Sequence, residues 1–162
     1  MRATKHQPMT RKEELVYLSR DHHDGMLLSW KINSGLNKGI SVYRIMDYIL
    51  YFNDNFLEPH FLEQEKYLYP LVANEHPDRR TAELQHAGIR VRIEYLKAGY
   101  KVTTEMLKDF ADFLSEHIRF EERVLFNVIE QEADRSALRS VVKKTKKILK
   151  IDNGWDDQFW LQ

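Results

Sequence analysis

Cysteine is absent from this chain of 162 residues, which excludes disulfides, thiolate zinc sites, iron–sulfur clusters and a cysteine nucleophile. Charge of one sign is also lacking, because 25 basic residues balance 25 acidic ones. We therefore expect neither a nucleic-acid partner nor an anionic membrane surface as partner. No apolar run approaches the roughly 18 residues that a membrane-spanning helix needs, and the first residues are polar. These features predict a soluble, cytoplasmic protein.

Glycine and proline are scarce, with six and four residues, and half of them fall at the breaks between long segments of helical periodicity. This punctuation predicts an all-α bundle of four helices, near residues 11–34, 40–72, 78–98 and 104–131. Pro59 lies inside the second helix, where a missing amide hydrogen predicts a kink or a break. We expect residues 1–162 to form one domain, with the bundle followed by a short helical extension over 132–162. The aromatic residues of its tail, Trp155 to Trp160, should pack on the bundle.

The clearest internal pattern is a ten-residue motif that begins at His60 and again at His117. The two copies, HFLEQEKYLY and HIRFEERVLF, share the histidine, an acid five positions later, a base, a leucine and an aromatic residue. A further histidine precedes each copy, in the pairs Asp21-His22 and Gln85-His86. The chain is therefore interpreted as two helical hairpins with one histidine per helix, an arrangement from which four-helix bundles build metal sites.

Polar residues occupy core positions of the fourth helix. His117 and Glu121 continue an apolar stripe that steps by three and four residues, and an i,i+4 spacing lets both side chains reach one ion. Burying an ionised carboxylate without a partner costs several kcal/mol, so this position favours a bound cation. The stripe consists of Leu107, Phe110, Leu114, His117, Glu121, Val124 and Val128.

The first helix offers two adjacent histidines, His22 and His23, which point about 100° apart. We predict His22 as the inward residue because its face carries the longer apolar stripe, including Leu15 and Leu18. On the third helix, His86 shares its face with Ile89. A bundle whose core histidines are only hydrogen-bonded, with the Trp-rich tail binding a protein partner, is the structural alternative.

These motifs resemble the hemerythrin-like, or HHE cation-binding, family over most of the chain, from about residue 15 to 130. The matching pieces are Leu18-Ser-Arg-Asp-His22-His23, Pro59-His60-Phe61 to Leu68-Tyr69-Pro70, Leu84-Gln-His86, and His117-Ile-Arg-Phe-Glu121-Glu122 to Leu125-Phe126. The resemblance implies an up-down-up-down four-helix bundle around a non-haem di-iron centre. It implies as metal ligands His22, His60, His86, His117 and Glu121.

This sequence departs from the family pattern at Gln64, where the first motif carries glutamate. A neutral amide cannot bridge two irons as a carboxylate does. On a regular helix Glu63 lies about 60° from His60 and can reach inward, whereas Glu65 lies about 140° away. Three outcomes stay open: a di-iron site bridged by Glu121 and Glu63, a di-iron site with one carboxylate bridge, or a mononuclear site, for which zinc is an alternative to iron.

The resemblance implies a protein that binds or reacts with dioxygen or a related small molecule such as nitric oxide or peroxide. A second hypothesis is a factor that handles iron during nitrosative stress and repair of iron–sulfur clusters. The two hypotheses share the same metal ligands, so they differ in how firmly the iron is held.

Overall fold

The computed structural model describes residues 12–99, 101–145 and 151–162, and over these residues the chain is helical without a strand. Predictions for residues 1–11, Tyr100 and 146–150 lie outside the described part. The described residues form five longer helices: α1 (Glu13–Asn37), α2 (residues 42–71), α3 (Pro77–Lys97), α4 (residues 104–132) and α5 (Arg135–Lys144). Two short 3₁₀ turns, Ile151–Gly154 and Phe159–Leu161, lie in the C-terminal tail. The first four helices form the predicted bundle, so the all-α fold is confirmed.

Two of these helices change their hydrogen-bonding pattern along their length. In both, the backbone angles stay helical across every junction, so each is one continuous helix. The segments of α2 are Val42–Phe52 (α), Asn53–Leu57 (π), Glu58–Glu63 (α), Gln64–Leu68 (π) and Tyr69–Leu71 (3₁₀). Those of α4 are Thr104–Phe120 (α), Glu121–Leu125 (π) and Phe126–Glu132 (α). The interruption predicted at Pro59 is thus a change of helix type, with the proline in the first turn of an α segment.

The helix ends follow local sequence chemistry. Gly39 takes a φ of 70° after α1, in the left-handed region that a Cβ disfavours, and its amide bonds back to the Leu36 carbonyl. Thr103 caps α4 by accepting a hydrogen bond from the Met106 amide at 3.2 Å. Short turns between successive helices make neighbours antiparallel, which gives the up-down-up-down order.

The π turn of α4 changes which residues face the core. The predicted stripe continued from Glu121 to Val124 and Val128, but the structure buries Leu125 and Ile129 completely and leaves the two valines half-buried. That part of the prediction was wrong because a π turn holds one residue more than an α turn and moves the buried positions along by one.

Apolar residues form two separate clusters along the bundle. The large cluster includes Leu28, Ile49, Phe56 and Leu114, and the small cluster includes Leu15, Leu68, Leu125 and Leu138. Helix α5 packs on α1 over the small cluster. Between the two clusters the chain buries His22, His60, Gln64, His86, His117 and Glu121.

The C-terminal tail packs on the bundle as predicted. Phe159 is fully buried and Trp160 nearly so, and a Cβ at Gly35 would stand 2.8 Å from the Phe159 ring. Lys31, itself buried, donates to Asp152 at 2.6 Å. The tail therefore completes the large cluster.

Candidate metal centre

A single carboxylate, that of Glu121, stands at the middle of the buried polar layer with no exposed surface. Its two oxygens face different sets of side chains. Oε1 meets the side chains from α3 and from the end of α2, and Oε2 meets those from α1 and from the middle of α2. Glu121 therefore connects all four helices of the bundle.

On the Oε1 side, two histidine nitrogens approach the carboxylate. His117 Nε2 lies 2.8 Å from Oε1, His86 Nε2 lies 3.6 Å from it, and the two ring nitrogens are 3.1 Å apart. Two ligands at right angles on one ion, each about 2.1 Å from it, stand about 3 Å apart. The spacing of His86, His117 and Glu121 therefore suits ligation of a common metal ion.

The fourth group on this side is the hydroxyl of Tyr69, which is also fully buried. It donates to Glu121 Oε1 at 2.5 Å and lies 3.0 Å from His86 Nε2. The Tyr69 ring stacks on the His86 imidazole with ring centroids 5.2 Å apart. Tyr69 thus brings an oxygen among the same donor atoms.

On the Oε2 side, His22 Nε2 lies 2.9 Å away and the Gln64 amide nitrogen donates at 2.7 Å. The Gln64 carbonyl oxygen is buried and has no hydrogen-bond partner among the described residues. His60 approaches from α2, with its ring centroid 6.0 Å from that of His22. A small cavity of about 10 Å³, close to the space for one water molecule, lies between His22, His60 and His117.

The outer nitrogen of each inward histidine has a partner on another helix. His22 Nδ1 donates to Glu122 at 2.5 Å, His86 Nδ1 to Glu65 at 2.7 Å, and His117 Nδ1 to Gln85 at 2.7 Å. His60 Nδ1 lies 3.6 Å from Asp21, an ion-pair distance too long for a direct hydrogen bond. Such outer contacts orient a metal-binding histidine and set which ring nitrogen carries the proton.

These partners come from the repeated motifs themselves. Glu65 and Glu122 are the acids five residues after His60 and His117, and Asp21 and Gln85 directly precede the other two histidines. The shared acid of the motif therefore holds a histidine on a neighbouring helix, in both copies.

Electrostatics around Glu121 favour its charged form. Burial opposes ionisation, but contacts with His117, His22 and His86 hold the Glu121 pKa well below its usual range. For His22, burial lowers the pKa, yet its bonds to Glu121 and Glu122 raise that pKa to about 9. Without a metal, a protonated histidine thus balances the buried carboxylate, at the place where a cation would stand.

Two other histidines are kept neutral. Burial lowers the pKa of His60 to about 3, with repulsion from His22 as the next cause. Burial also lowers the pKa of His117, against the opposing effect of Glu121. Their ring nitrogens are available as lone-pair donors, the form in which histidine binds metals. Burial raises the pKa of Tyr69 well above its ordinary value, and so does neighbouring Glu121.

The two motif copies share a local backbone feature at this centre. A π turn begins at Gln64 in the first copy and at Glu121 in the second, each four residues after its histidine. Single π turns inside α-helices occur often at functional sites. Here each π turn begins at the residue that faces the opposite helices across the core.

The structure places the predicted residues as follows. His22 is buried against Glu121, whereas His23 is exposed. Glu63 is half-buried and lines a pocket with Asp21, His60 and Gln64, while Gln64 is the residue that contacts Glu121. Of the six predicted ligands, five lie in the buried layer, and Glu63 lies at its edge.

Sequence reasoning missed Tyr69 as a member of this centre. On a regular helix Tyr69 lies about 180° from His60, on the opposite face. The π turn from Gln64 to Leu68 contains one extra residue. Tyr69 therefore has the direction that a residue eight positions after His60 would have on a regular helix, about 80° from His60. The only signal in the sequence was the difference between Tyr69 and Phe126, its counterpart in the second copy.

The donor set suits a hard or borderline cation, because it combines imidazole nitrogens with carboxylate, phenol and amide oxygens. The partnerless Gln64 oxygen is a further indication, since a buried acceptor of this kind lacks a hydrogen bond that a metal could replace. Zinc, iron and other first-row ions all accept these ligands. The geometry thus fits a metal ion held by His86, His117 and Glu121.

Comparison with known protein families matched the hemerythrin HHE cation binding domain over residues 12–129. The matched range contains every residue of the centre described above. Comparison with curated proteins and with solved structures found no match. Among the described helices, none is both long and apolar enough to cross a membrane.

Proposed function

Because this chain belongs to the hemerythrin HHE cation-binding family, we propose that it holds a non-haem di-iron centre that binds or reacts with dioxygen, nitric oxide or peroxide. The observation that carries this proposal is the position of Glu121, whose two buried oxygens face two separate groups of donors. A carboxylate in that position can bridge two ions. Bound iron would supply the redox chemistry.

The proposed ligands divide into two groups around Glu121. His86 and His117 share its Oε1 side, and His22 shares its Oε2 side with His60 across the small cavity. Glu63 is proposed as a second carboxylate, since it lines the pocket beside His60. The chain itself must hold these side chains still and keep bulk water out.

The packing around the histidines supports both of these roles, the positioning of the ligands and the exclusion of water. Phe56 stacks on His60 with centroids 5.6 Å apart, and Phe61 stacks on His86 at 4.0 Å. With Leu114, Phe56 and Phe61 line the small cavity among the histidines. A diatomic molecule entering this space would meet apolar walls on one side and ring nitrogens on the other, which suits a small, weakly polar ligand.

The first experiment is metal analysis of the chain produced in iron-supplemented medium, with visible spectra recorded after reduction and after re-exposure to air. We expect about two iron ions per chain, as in di-iron bundle proteins, and a spectrum that changes reversibly. Glu121→Gln is the test variant, since it keeps the shape of the side chain and removes the charge. Glu116→Gln, on the exposed face of the same helix, is the matched control.

The outcomes separate the alternatives. One iron or one zinc per chain, lost in Glu121→Gln, would replace the di-iron proposal with a mononuclear site. Full metal content in the Glu121→Gln variant would contradict the role of Glu121. Protein without bound metal, and with the same unfolding midpoint before and after chelation, would support the alternative in which the core histidines are only hydrogen-bonded.

A further inference from the structure

The two copies of the motif differ in their polar groups at two positions that contact Glu121 or the histidines. Where the second copy has Glu121, the first has the neutral Gln64, and where the second has Phe126, the first has Tyr69. The first copy therefore has an amide at the position of the buried carboxylate and a hydroxyl at the position of the buried phenylalanine. Both exchanged side chains contact the same group, since Gln64 donates to Glu121 Oε2 and Tyr69 donates to Glu121 Oε1.

The two aromatic residues occupy matching places in the bundle. Phe126 stacks on His22 with centroids 5.3 Å apart, and Tyr69 stacks on His86 at 5.2 Å. Packing against a histidine is thus the role that both rings share, and phenylalanine is sufficient for it. The hydroxyl of Tyr69 needs a different explanation, because a polar group is costly to bury unless it bonds.

The hydroxyl lies among donor atoms and not at the edge of the layer. Its oxygen is 2.5 Å from Glu121 Oε1 and 3.0 Å from His86 Nε2. These separations match those between His86, His117 and Glu121, the group of atoms that suits a common ion. An ion placed among those three would have the Tyr69 oxygen as its neighbour.

We propose that Tyr69 is a metal ligand, whose phenolate oxygen completes the ion on the Oε1 side of Glu121 and supplies the anionic oxygen that Gln64 does not. This assignment rests on the proposed iron centre. On binding, the O–H bond of Tyr69 breaks, an oxygen–metal bond forms, and the proton is released to solvent without any change in oxidation state. A cation nearby favours this step, as it does for other protic ligands.

The competing role for Tyr69 is a hydrogen-bond donor that only orients Glu121. The two roles differ in the spectrum of the ferric protein, because a phenolate bound to iron(III) gives a charge-transfer band in the visible range and a hydrogen-bonded phenol gives none. Resonance Raman excitation within that band would enhance phenolate ring vibrations.

The experiment compares wild-type, Tyr69→Phe and Tyr67→Phe proteins, each produced with iron and oxidised by air. Tyr67 is the matched control, because it lies two residues away, is half-buried, and packs against the small cluster. We expect the band and the phenolate vibrations in the wild type and in Tyr67→Phe, and their loss in Tyr69→Phe with iron still bound. Phenylalanine occupies the matching position in the second copy, so the variant should fold.

One result that would overturn the assignment does not depend on the variants. Wild-type ferric protein with iron bound but no phenolate band would show that Tyr69 is not a ligand, and the proposed iron centre would stand. A band that persists in Tyr69→Phe would also overturn it. Wild-type protein that binds no iron would instead overturn the proposed function, and this assignment with it.

Discussion

The two copies of the ten-residue motif, from His60 and from His117, share backbone form but distribute charge differently. In both, a π turn starts four residues after the histidine, and the next acid bonds a histidine of another helix. Facing the centre, the first copy has amide and phenol where the second has carboxylate and phenylalanine. One half of this bundle thus supplies the buried carboxylate, and the other supplies two neutral side chains that donate hydrogen bonds to it.

The residues that contact the outer nitrogens of the two motif histidines show the opposite distribution of charge. His60, whose motif carries the amide Gln64, lies beside the carboxylate of Asp21. His117, whose motif carries the carboxylate Glu121, is held by the amide Gln85. The motif with an amide at its inward position therefore has an acidic outer partner, and the motif with a carboxylate there has an amide outer partner. Variants that change the charge of an inward residue or of an outer partner test whether this distribution affects iron binding.

The largest effect is expected from removing the charge of Glu121 at the middle of the buried layer. Glu121→Gln leaves both copies with an amide at the inward position, so two ions would share no anionic bridge. We expect iron content to fall to background while the far-ultraviolet circular dichroism stays helical. Glu116→Gln, on the exposed face of the same helix and measured beside it, should retain iron. Equal iron loss in both variants would mean that the fold, and not the bridge, has been damaged.

Gln64→Glu gives both copies of the motif the same inward residue. This change should alter the free energy of unfolding in opposite directions in the metal-free and metal-loaded proteins. Gln64→Glu replaces a donor 2.7 Å from Glu121 with a second carboxylate. Losing a hydrogen bond to a charged group costs about 2 kcal/mol, so we expect a lower free energy of unfolding after chelation. With metal bound, the added carboxylate should raise that free energy instead, as measured by urea unfolding with and without iron.

Glu63 can be tested in the same background. If Glu63 acts as the second carboxylate, Glu63→Gln should weaken iron retention in the wild type and have little effect in the Gln64→Glu protein. Such non-additivity is expected when two residues serve one role. Equal losses in both backgrounds would exclude that shared role for Glu63.

Removing the charge of Glu65 or of Glu122, the acids that contact the outer nitrogens of histidines, should have smaller effects on iron binding that resemble each other. Glu65 accepts from His86 and Glu122 accepts from His22, and loss of such a partner weakens metal affinity by about 10- to 100-fold. We therefore expect Glu65→Gln and Glu122→Gln to release iron to a chelator faster than wild type while still binding it. Arg80→Gln, a change on the exposed surface of α3, should behave as wild type. An unchanged release rate in both acidic variants would show that these contacts do not hold the ligands.

Much of the fold followed from periodicity and turn residues. Helices predicted near 40–72, 78–98 and 104–131 are found at 42–71, Pro77–Lys97 and 104–132, because the breaks between them carry glycine or proline. The inward choice of His22 over His23 followed from the longer apolar stripe on its face. These features depend on neighbours within one helix, which the sequence displays directly.

Several features that the sequence did not predict depend on π turns. A helical wheel assumes a constant angle per residue and cannot represent them. Beyond Glu121 the buried positions move from Val124 to Leu125, and beyond Gln64 the same shift brings Tyr69 into the centre. Contacts between helices, such as that of Glu65 with His86, were equally out of reach. A wheel drawn for one helix contains no information about the helix that it faces.

The smallest effect is expected from exchanging the outer partners of the motif histidines. Gln85 accepts from His117 Nδ1 at 2.7 Å, and a carboxylate there would strengthen this bond by about 1 kcal/mol, since charged acceptors bond more strongly than neutral ones. We expect Gln85→Glu to make His117 a more basic ligand and to slow iron release about fivefold by the same energy. Asp21→Asn should have the opposite and weaker effect, because Asp21 lies 3.6 Å from His60 Nδ1. Changes of the same sign in the two variants would show that charge at these outer positions does not act through the histidines.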